Sequence, residues 1–224
     1  MTSVLADPPL EALLQRLQAD SLAQEAETSA WFRRRGEAGE LNWDGFDDKS
    51  HRFMADKFVA LPHDKAEFCY SLCRSLDARR VVEVGTSFGV STLYLAAAVR
   101  DNGGGLVIGT EHEAQKAKAA RATFDAAGLS TFIDLREGAL RQTLKSLEGP
   151  IDFVLVDIWV EMARPALELI APHLRRGAIV CADNTASVRT PYRYYFEFVN
   201  DPANGFITMT LPFEGGLEMT VKVS

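Results

Sequence analysis

Two short apolar runs, each ending in a carboxylate, carry the chemistry this chain offers. The first is Asp152-Phe-Val-Leu-Val-Asp157, continued by Ile158 and Trp159. The second is Ile179-Val-Cys-Ala-Asp183-Asn184, whose aspartate lies 26 positions after Asp157. Apolar runs of this length read as strands buried on both faces of a parallel sheet. Open α/β sheets bind ligands beyond the carboxyl ends of their strands. If the two strands are neighbours, Asp157, Asp183 and Asn184 converge at one rim. That all-oxygen set suits a hard divalent cation such as Mg²⁺. Either aspartate alone reads equally well as a helix cap or turn residue. Two of them, with an asparagine beside the second, point to a site.

A second signal lies upstream, in Arg80-Val-Val-Glu83-Val-Gly85-Thr86-Ser87-Phe88-Gly89-Val-Ser91-Thr92. It reads as strand, glycine turn and helix. Gly85 and Gly89 let the backbone turn tightly and approach a ligand. Ser91 and Thr92 fall near the helix start, where free N–H groups face a bound group. The spacing is Gly-x-x-x-Gly, not the Gly-x-Gly-x-x-Gly of dinucleotide sites. Glu83 would repel a pyrophosphate but suits an amine or a sulfonium. The next strand, Leu106-Val-Ile-Gly-Thr110, ends in Glu111, whose carboxylate can accept both hydroxyls of a ribose. Together these suggest a nucleoside bearing a positively charged amino-acid group. Alone, the glycine turn says little, because many strand–helix junctions carry one.

These residues resemble the class I S-adenosylmethionine-dependent methyltransferases, and within them the cation-dependent catechol O-methyltransferase-like family. The resemblance covers residues from about Leu61 to the C-terminus. It rests on residues 82–91, Thr110-Glu111, Glu137-Gly138-Ala139, Asp157-Ile158-Trp159, Asp183-Asn184 and Gly216-Leu217-Glu218. It implies that Glu83, Gly85 and Ser91 hold the methionine end of S-adenosylmethionine, with Thr86, Ser87 and Gly89 in the same turn. Glu111 would bind the ribose, Gly138 and Ala139 would line the adenine, and His112 would lie against the adenosine. Asp157, Asp183 and Asn184 would ligate Mg²⁺, and Trp159 would wall the pocket. The implied activity is methyl transfer to a hydroxyl of a small phenolic or catechol-like acceptor.

One departure matters. In the catechol enzymes a lysine follows the Asp-x-Trp tripeptide and is taken as the general base. Here that position is Val160, which carries no proton. Either a metal alone acidifies the acceptor, or another group (Asp157, His51 or His63) serves as base, or the acceptor is not a catechol. Metal-independent methyl transfer and a non-catalytic cofactor-binding protein are the alternatives. Glu83 and the glycine spacing argue against a nicotinamide dehydrogenase.

The elements that must position these residues follow an α/β order. The 224 residues fit one such domain with a sizeable core. Segment 1–60 is expected as a helical cap, with a helix from Asp7 to about Arg35, whose leucines at 10, 13, 14, 17 and 22 roughly follow helical periodicity, and a second over Lys49–Phe58. Segment 61–224 is expected as the cofactor-binding unit, opening on a helix from His63 to Leu76. Strands are expected at Val81, Leu106, Phe132, Ile151 and Ile179, each followed by a helix. Arg175-Arg-Gly177 reads as the turn before the fifth strand. A helix near Tyr192–Val199 and a hairpin of Phe206–Leu211 with Leu217–Val223 complete a doubly wound, mostly parallel seven-stranded sheet. The N-terminal helices, the loop after Asp183-Asn184 and the aromatics at 192–196 are expected to set specificity, although those aromatics read equally well as core.

The net charge of −7, with no basic block, argues against a nucleic-acid partner. Three cysteines, an odd number, fit a reducing compartment, and Cys69, Cys73 and Cys181 read as core residues. No stretch is apolar enough to span a membrane, and acids at 7, 11 and 20 do not suit a signal peptide, so a cytoplasmic protein is expected. The resemblance also implies a homodimer.

Overall fold

Central strands buried on both faces build the molecule. The computed structural model describes residues 5–42, 45, 47–187 and 189–224. The chain runs α1 (Pro8–Glu37), α2 (Asp48–Met54), α3 (His63–Ser75), β1 (Arg80–Val84), α4 (Val90–Asp101), β2 (Leu106–Glu111), α5 (Ala114–Ala126), β3 (Ile133–Glu137), α6 (Leu140–Thr143), β4 (Ile151–Val156), α7 (Val160–Ile170), β5 (Leu174–Asp183), α8 (Arg193–Asn200), β6 (Phe206–Leu211) and β7 (Leu217–Lys222). The sheet order is β3-β2-β1-β4-β5-β7-β6. The first five strands in that order pair in parallel, and the final hairpin joins β5 antiparallel through β7. The expected seven-stranded, doubly wound sheet is therefore present.

Successive side chains of a strand point to opposite faces. Val81, Phe153, Leu155, Ile179 and Cys181 belong to the core shared with α1, α3 and α4. Val82, Val84, Val154, Val156, Val180 and Ala182 belong to the core shared with α7 and α8. Odd-numbered positions at the ends of β1, β4 and β5 therefore turn toward α3 and α4. Glu83, Asp157 and Asp183 share that parity.

Several boundaries differ from expectation. β5 starts at Leu174, so Arg175-Arg-Gly177 lies inside the strand. Gly177 takes a φ of +80°, and the pairing with β4 shifts register between Ile151 and Phe153, so the strand continues through an irregularity. Phe132 ends a 3-10 turn, and β3 begins one residue later. α2 stops at Met54; Phe58 leaves the helix to stack on Phe88, with ring centroids 4.3 Å apart, and its N–H donates to Gln24 Oε1 at 3.1 Å. Leu10, Leu14 and Leu17 of α1 are buried, but Leu22 is 64% exposed. All three cysteines are free and buried. Among the described residues, no helix is long and apolar enough to cross a membrane.

Candidate functional site

The carboxyl ends of β1, β2, β4 and β5 open into a cavity of about 610 Å³. Gly85, Ser87, Glu111, His112, Gly138, Ala139, Asp157, Trp159, Asp183 and Asn184 all line it. Thr28 and Phe32 of α1 and His51 and Met54 of α2 close it from the N-terminal side. Glu83, Thr86, Gly89 and Ser91 do not reach its wall and form the turn behind it. Gly89 is a packing glycine: a Cβ there would stand 2.4 Å from the ring of Phe124.

Each lining group is placed by its element. Asp157 follows β4 directly, and its N–H donates to the Val84 carbonyl at 3.0 Å, locking the β4 tip to the β1 tip. Gly85 is required there. Its φ is +99°, and a Cβ would sit 2.0 Å from the Asp157 carbonyl oxygen. Glu111 ends β2 and accepts N–H bonds from Ser87 at 2.7 Å and Glu113 at 2.8 Å. Ser87 and Asn184 take positive φ values of 50° and 58°, a conformation uncommon outside glycine, though more accessible to Asn, that turns the chain around the cavity.

Glu83 is fully buried. Its Oε2 accepts hydroxyl bonds from Thr86, at 2.9 Å, and from Thr92. Its Oε1 has no hydrogen-bond partner, although the Ser91 hydroxyl lies near enough to favour the carboxylate. Burial is the larger influence and raises its pKa. A buried carboxylate oxygen without a partner is costly, and a positive charge in the cavity in front of it would lessen that cost. Ser87 Oγ is buried and unpartnered as well. With Glu111 placed to accept further hydroxyls and Gly138 lining the cavity at a φ of +132°, these residues fit the S-adenosylmethionine that the resemblance implies.

The metal set is a different matter. Register pairs Val156 with Ala182, so Asp157 and Asp183 do emerge side by side, and Asn184 follows. A residue that the sequence reading overlooked has joined them. Lys65, in the first turn of α3, is 1% exposed, and its Nζ donates to Asp183 Oδ1 at 2.5 Å and to the Gly216 carbonyl at 3.4 Å. The second oxygen of Asp183 accepts from Asn184 Nδ2 at 3.1 Å, and Asn184 Oδ1 faces Gly215, where a Cβ would meet it at 2.7 Å. Both Asp183 oxygens are thus engaged by donors from the chain. A +2 ion about 4 Å from an ammonium would be repelled by about 8 kcal/mol at an effective dielectric of about 20. As arranged, these residues do not fit a divalent cation.

Asp157 is left as the other acid where β4 and β5 meet the cavity. Burial first, then the charges of Asp183 and Glu83, push its pKa up to about 8, against the pull of Lys65. Burial likewise raises Asp183, and the Lys65 ammonium opposes it. Tyr192, one of the aromatics expected near the acceptor, lines the cavity and donates its hydroxyl to the Asp183 carbonyl at 2.9 Å. Of the two histidines considered as bases, His51 reaches the cavity, with its ring edge-on to Trp159 at a centroid distance of 6.5 Å. His63 does not. Its Nδ1 pairs with the Tyr94 hydroxyl at 2.7 Å and its Nε2 lies 3.4 Å from Glu67, which takes it out of the chemistry. Lys116, also overlooked, lines the cavity beside Glu111, and burial lowers its pKa.

Known proteins are similar to this chain in sequence and in fold. A model of a methyltransferase domain matches residues 82–185. A catechol O-methyltransferase of Mycobacterium tuberculosis is 31% identical over 127 residues, which cover 56% of this chain and 57% of that protein. The chain thus spans little more than half the length of that curated relative. In fold it is similar to an O-methyltransferase structure from Klebsiella pneumoniae, with a TM-score of 0.71 at 19% identity over 99% of this chain and 92% of the other. It is also similar to an O-methyltransferase from Bacillus cereus in complex with SAH, with a TM-score of 0.67 at 21% identity over 98% of this chain and 92% of the other.

Proposed function

We propose that this chain is a class I S-adenosylmethionine-dependent methyltransferase of the catechol O-methyltransferase-like family and that it methylates a hydroxyl of a small aromatic acceptor, a reading supported by the matched methyltransferase domain and the similar O-methyltransferases. The observation that carries this reading is the pairing of two acids at neighbouring strand ends. Glu83 keeps a buried, unpartnered oxygen just behind the cavity wall, and Glu111 faces the cavity that Asp157 also lines. S-adenosylmethionine, when bound, supplies an electrophilic sulfonium methyl.

The chain's own residues supply the rest. Ser87 offers its hydroxyl to the amino-acid end, Glu83 braces the turn behind it through Thr86 and Thr92, and Glu111 takes the ribose hydroxyls. Phe32, Met54, Trp159 and Tyr192 wall the cavity with apolar and aromatic surface suited to a flat ring. Alignment of two bound reactants can contribute on the order of 7–11 kcal/mol. A phenolic hydroxyl has a pKa of about 10. Asp157, with its carboxyl raised by burial and neighbouring acids, is the better matched to accept that proton. A metal-assisted form of the reaction, with Mg²⁺ on Asp157, Asp183 and Asn184, is what the residue types alone suggest. The Lys65–Asp183 pair favours the metal-independent form.

The test is calorimetry with S-adenosylmethionine, followed by a panel of catechols and phenols read by mass spectrometry. Binding in the micromolar range is expected, with methyl transfer to at least one catechol or phenol. Failure to bind would sink the reading. Binding with no transfer across the panel would leave a cofactor-binding protein. Within this scheme Glu111→Ala removes two charge-assisted acceptors, each worth about 1.5–3 kcal/mol. It should weaken cofactor binding by at least about tenfold, with circular dichroism unchanged. Undiminished affinity would remove Glu111 from the ribose site.

A further inference from the structure

We propose that Lys65 is the resident cation of this site, standing on Asp183 in place of a divalent metal. The proposal rests on the methyltransferase reading and names what that reading leaves open: the positive charge between the strand tips. Lys65 and Asp183 form an ion pair with side-chain exposures of 1% and 4%, so solvent does not screen it. The ammonium is third in α3, a first-turn position where the helix dipole disfavours positive charge. A lysine buried in that place has no local reason to be there. Its reason is across the sheet, in Asp183 and in the Gly216 carbonyl that ends the hairpin turn.

The arrangement orders the rim. Lys65 holds one Asp183 oxygen, Asn184 holds the other, and Tyr192 holds the carbonyl of the same residue. The loop after β5, which faces the cavity, is fixed through these three bonds. Lys65 does not line the cavity, so it acts as a positioning residue through Asp183. The position after the Asp-x-Trp tripeptide is Val160, so no lysine arrives from that side.

Manganese titration followed by electron paramagnetic resonance separates this role from a merely structural one. The wild-type protein, with S-adenosylmethionine and a catechol present, should leave the free Mn²⁺ signal undiminished, and its methyl transfer should change less than about twofold in excess chelator. Lys65→Ala frees Asp183 and should gain about one Mn²⁺ per chain, with transfer now stimulated by Mn²⁺ or Mg²⁺. Stoichiometric Mn²⁺ binding by the wild type, or a folded Lys65→Ala that binds none, would overturn the proposal. If Lys65→Ala does not fold, the wild-type titration alone decides between the same two outcomes. Loss of S-adenosylmethionine binding in calorimetry would strike the methyltransferase reading instead, and the Mn²⁺ titration does not depend on it.

Discussion

Gly85→Ala is expected to abolish cofactor binding, lowering affinity by at least about 100-fold, or about 3 kcal/mol. The reason is local and steric. A Cβ at position 85 would stand 2.0 Å from the Asp157 carbonyl oxygen and 2.9 Å from its carbon. Those are backbone atoms, so no rotamer change relieves the contact. The tip of β1 must part from the tip of β4, which breaks the Asp157 N–H bond to the Val84 carbonyl. The left-handed φ of +99° adds about 1–3 kcal/mol of strain for a residue with a side chain. The movement also carries Asp157 away from Ser87 and Glu111 on the opposite side of the turn. Calorimetry with S-adenosylmethionine and with its demethylated product checks the result. Affinity within threefold of wild type would mean that the glycine turn does not hold the cofactor. Gly89→Ala should behave differently, because its clash is with the Phe124 side chain. It is a core substitution whose main effect is on stability.

Much of this geometry could be read from the sequence, and the portions that could not have physical causes. The strand ends at Glu83, Glu111, Asp157 and Asp183 were legible because a fully buried strand is a run of apolar residues, and the first acid after it marks the rim. The start of β5 was not. Arg175 and Arg176 look like a turn, yet Arg175 pairs with Asp152 at 2.6 Å across the neighbouring strand, and a tertiary ion pair leaves no mark in local propensity. The end of α2 failed similarly, because Phe58 is drawn out by Phe88, a residue 30 positions later. Lys65 was missed for a subtler reason. Lys65, Cys69 and Cys73 are spaced four apart and share one buried stripe of α3. A lysine on an otherwise small, apolar stripe signals a buried partner. The parity of 83, 157 and 183 told which sheet face that stripe would meet. The two observations had to be combined across 118 residues to give the pair. His63 shows the opposite error, a chemically able side chain whose helix carries it to Tyr94.

Asp157→Asn should lower methyl transfer by about 10²–10⁴-fold, the contribution of a positioned base, while making the protein more stable. The two effects share one cause. Asp157 lies among Asp183 and Glu83 with one ammonium, Lys65, for company, and its pKa rises from 3.8 to about 8. A carboxyl that binds its proton more tightly when folded holds more protons in the native state than in the unfolded one. The native state therefore loses stability as pH rises from about 4 to about 8. The amide keeps the shape, removes the ionisation and should flatten that decline. At pH 8 a gain of about 1–3 kcal/mol is expected, which raises the melting temperature by a few degrees in a chain of this size. At pH 4 the two proteins should melt alike, because both are then neutral at this position. The activity of the wild type should rise across the same interval as Asp157 loses its proton. Thermal melts of both proteins from pH 4 to 8, beside a pH–rate profile, join the two measurements. A variant that is inactive yet no more stable at pH 8 would mean that the buried charge is already fully compensated. A variant that keeps its activity would move the base elsewhere, and His51, edge-on to Trp159 within the same cavity, is the next group to test.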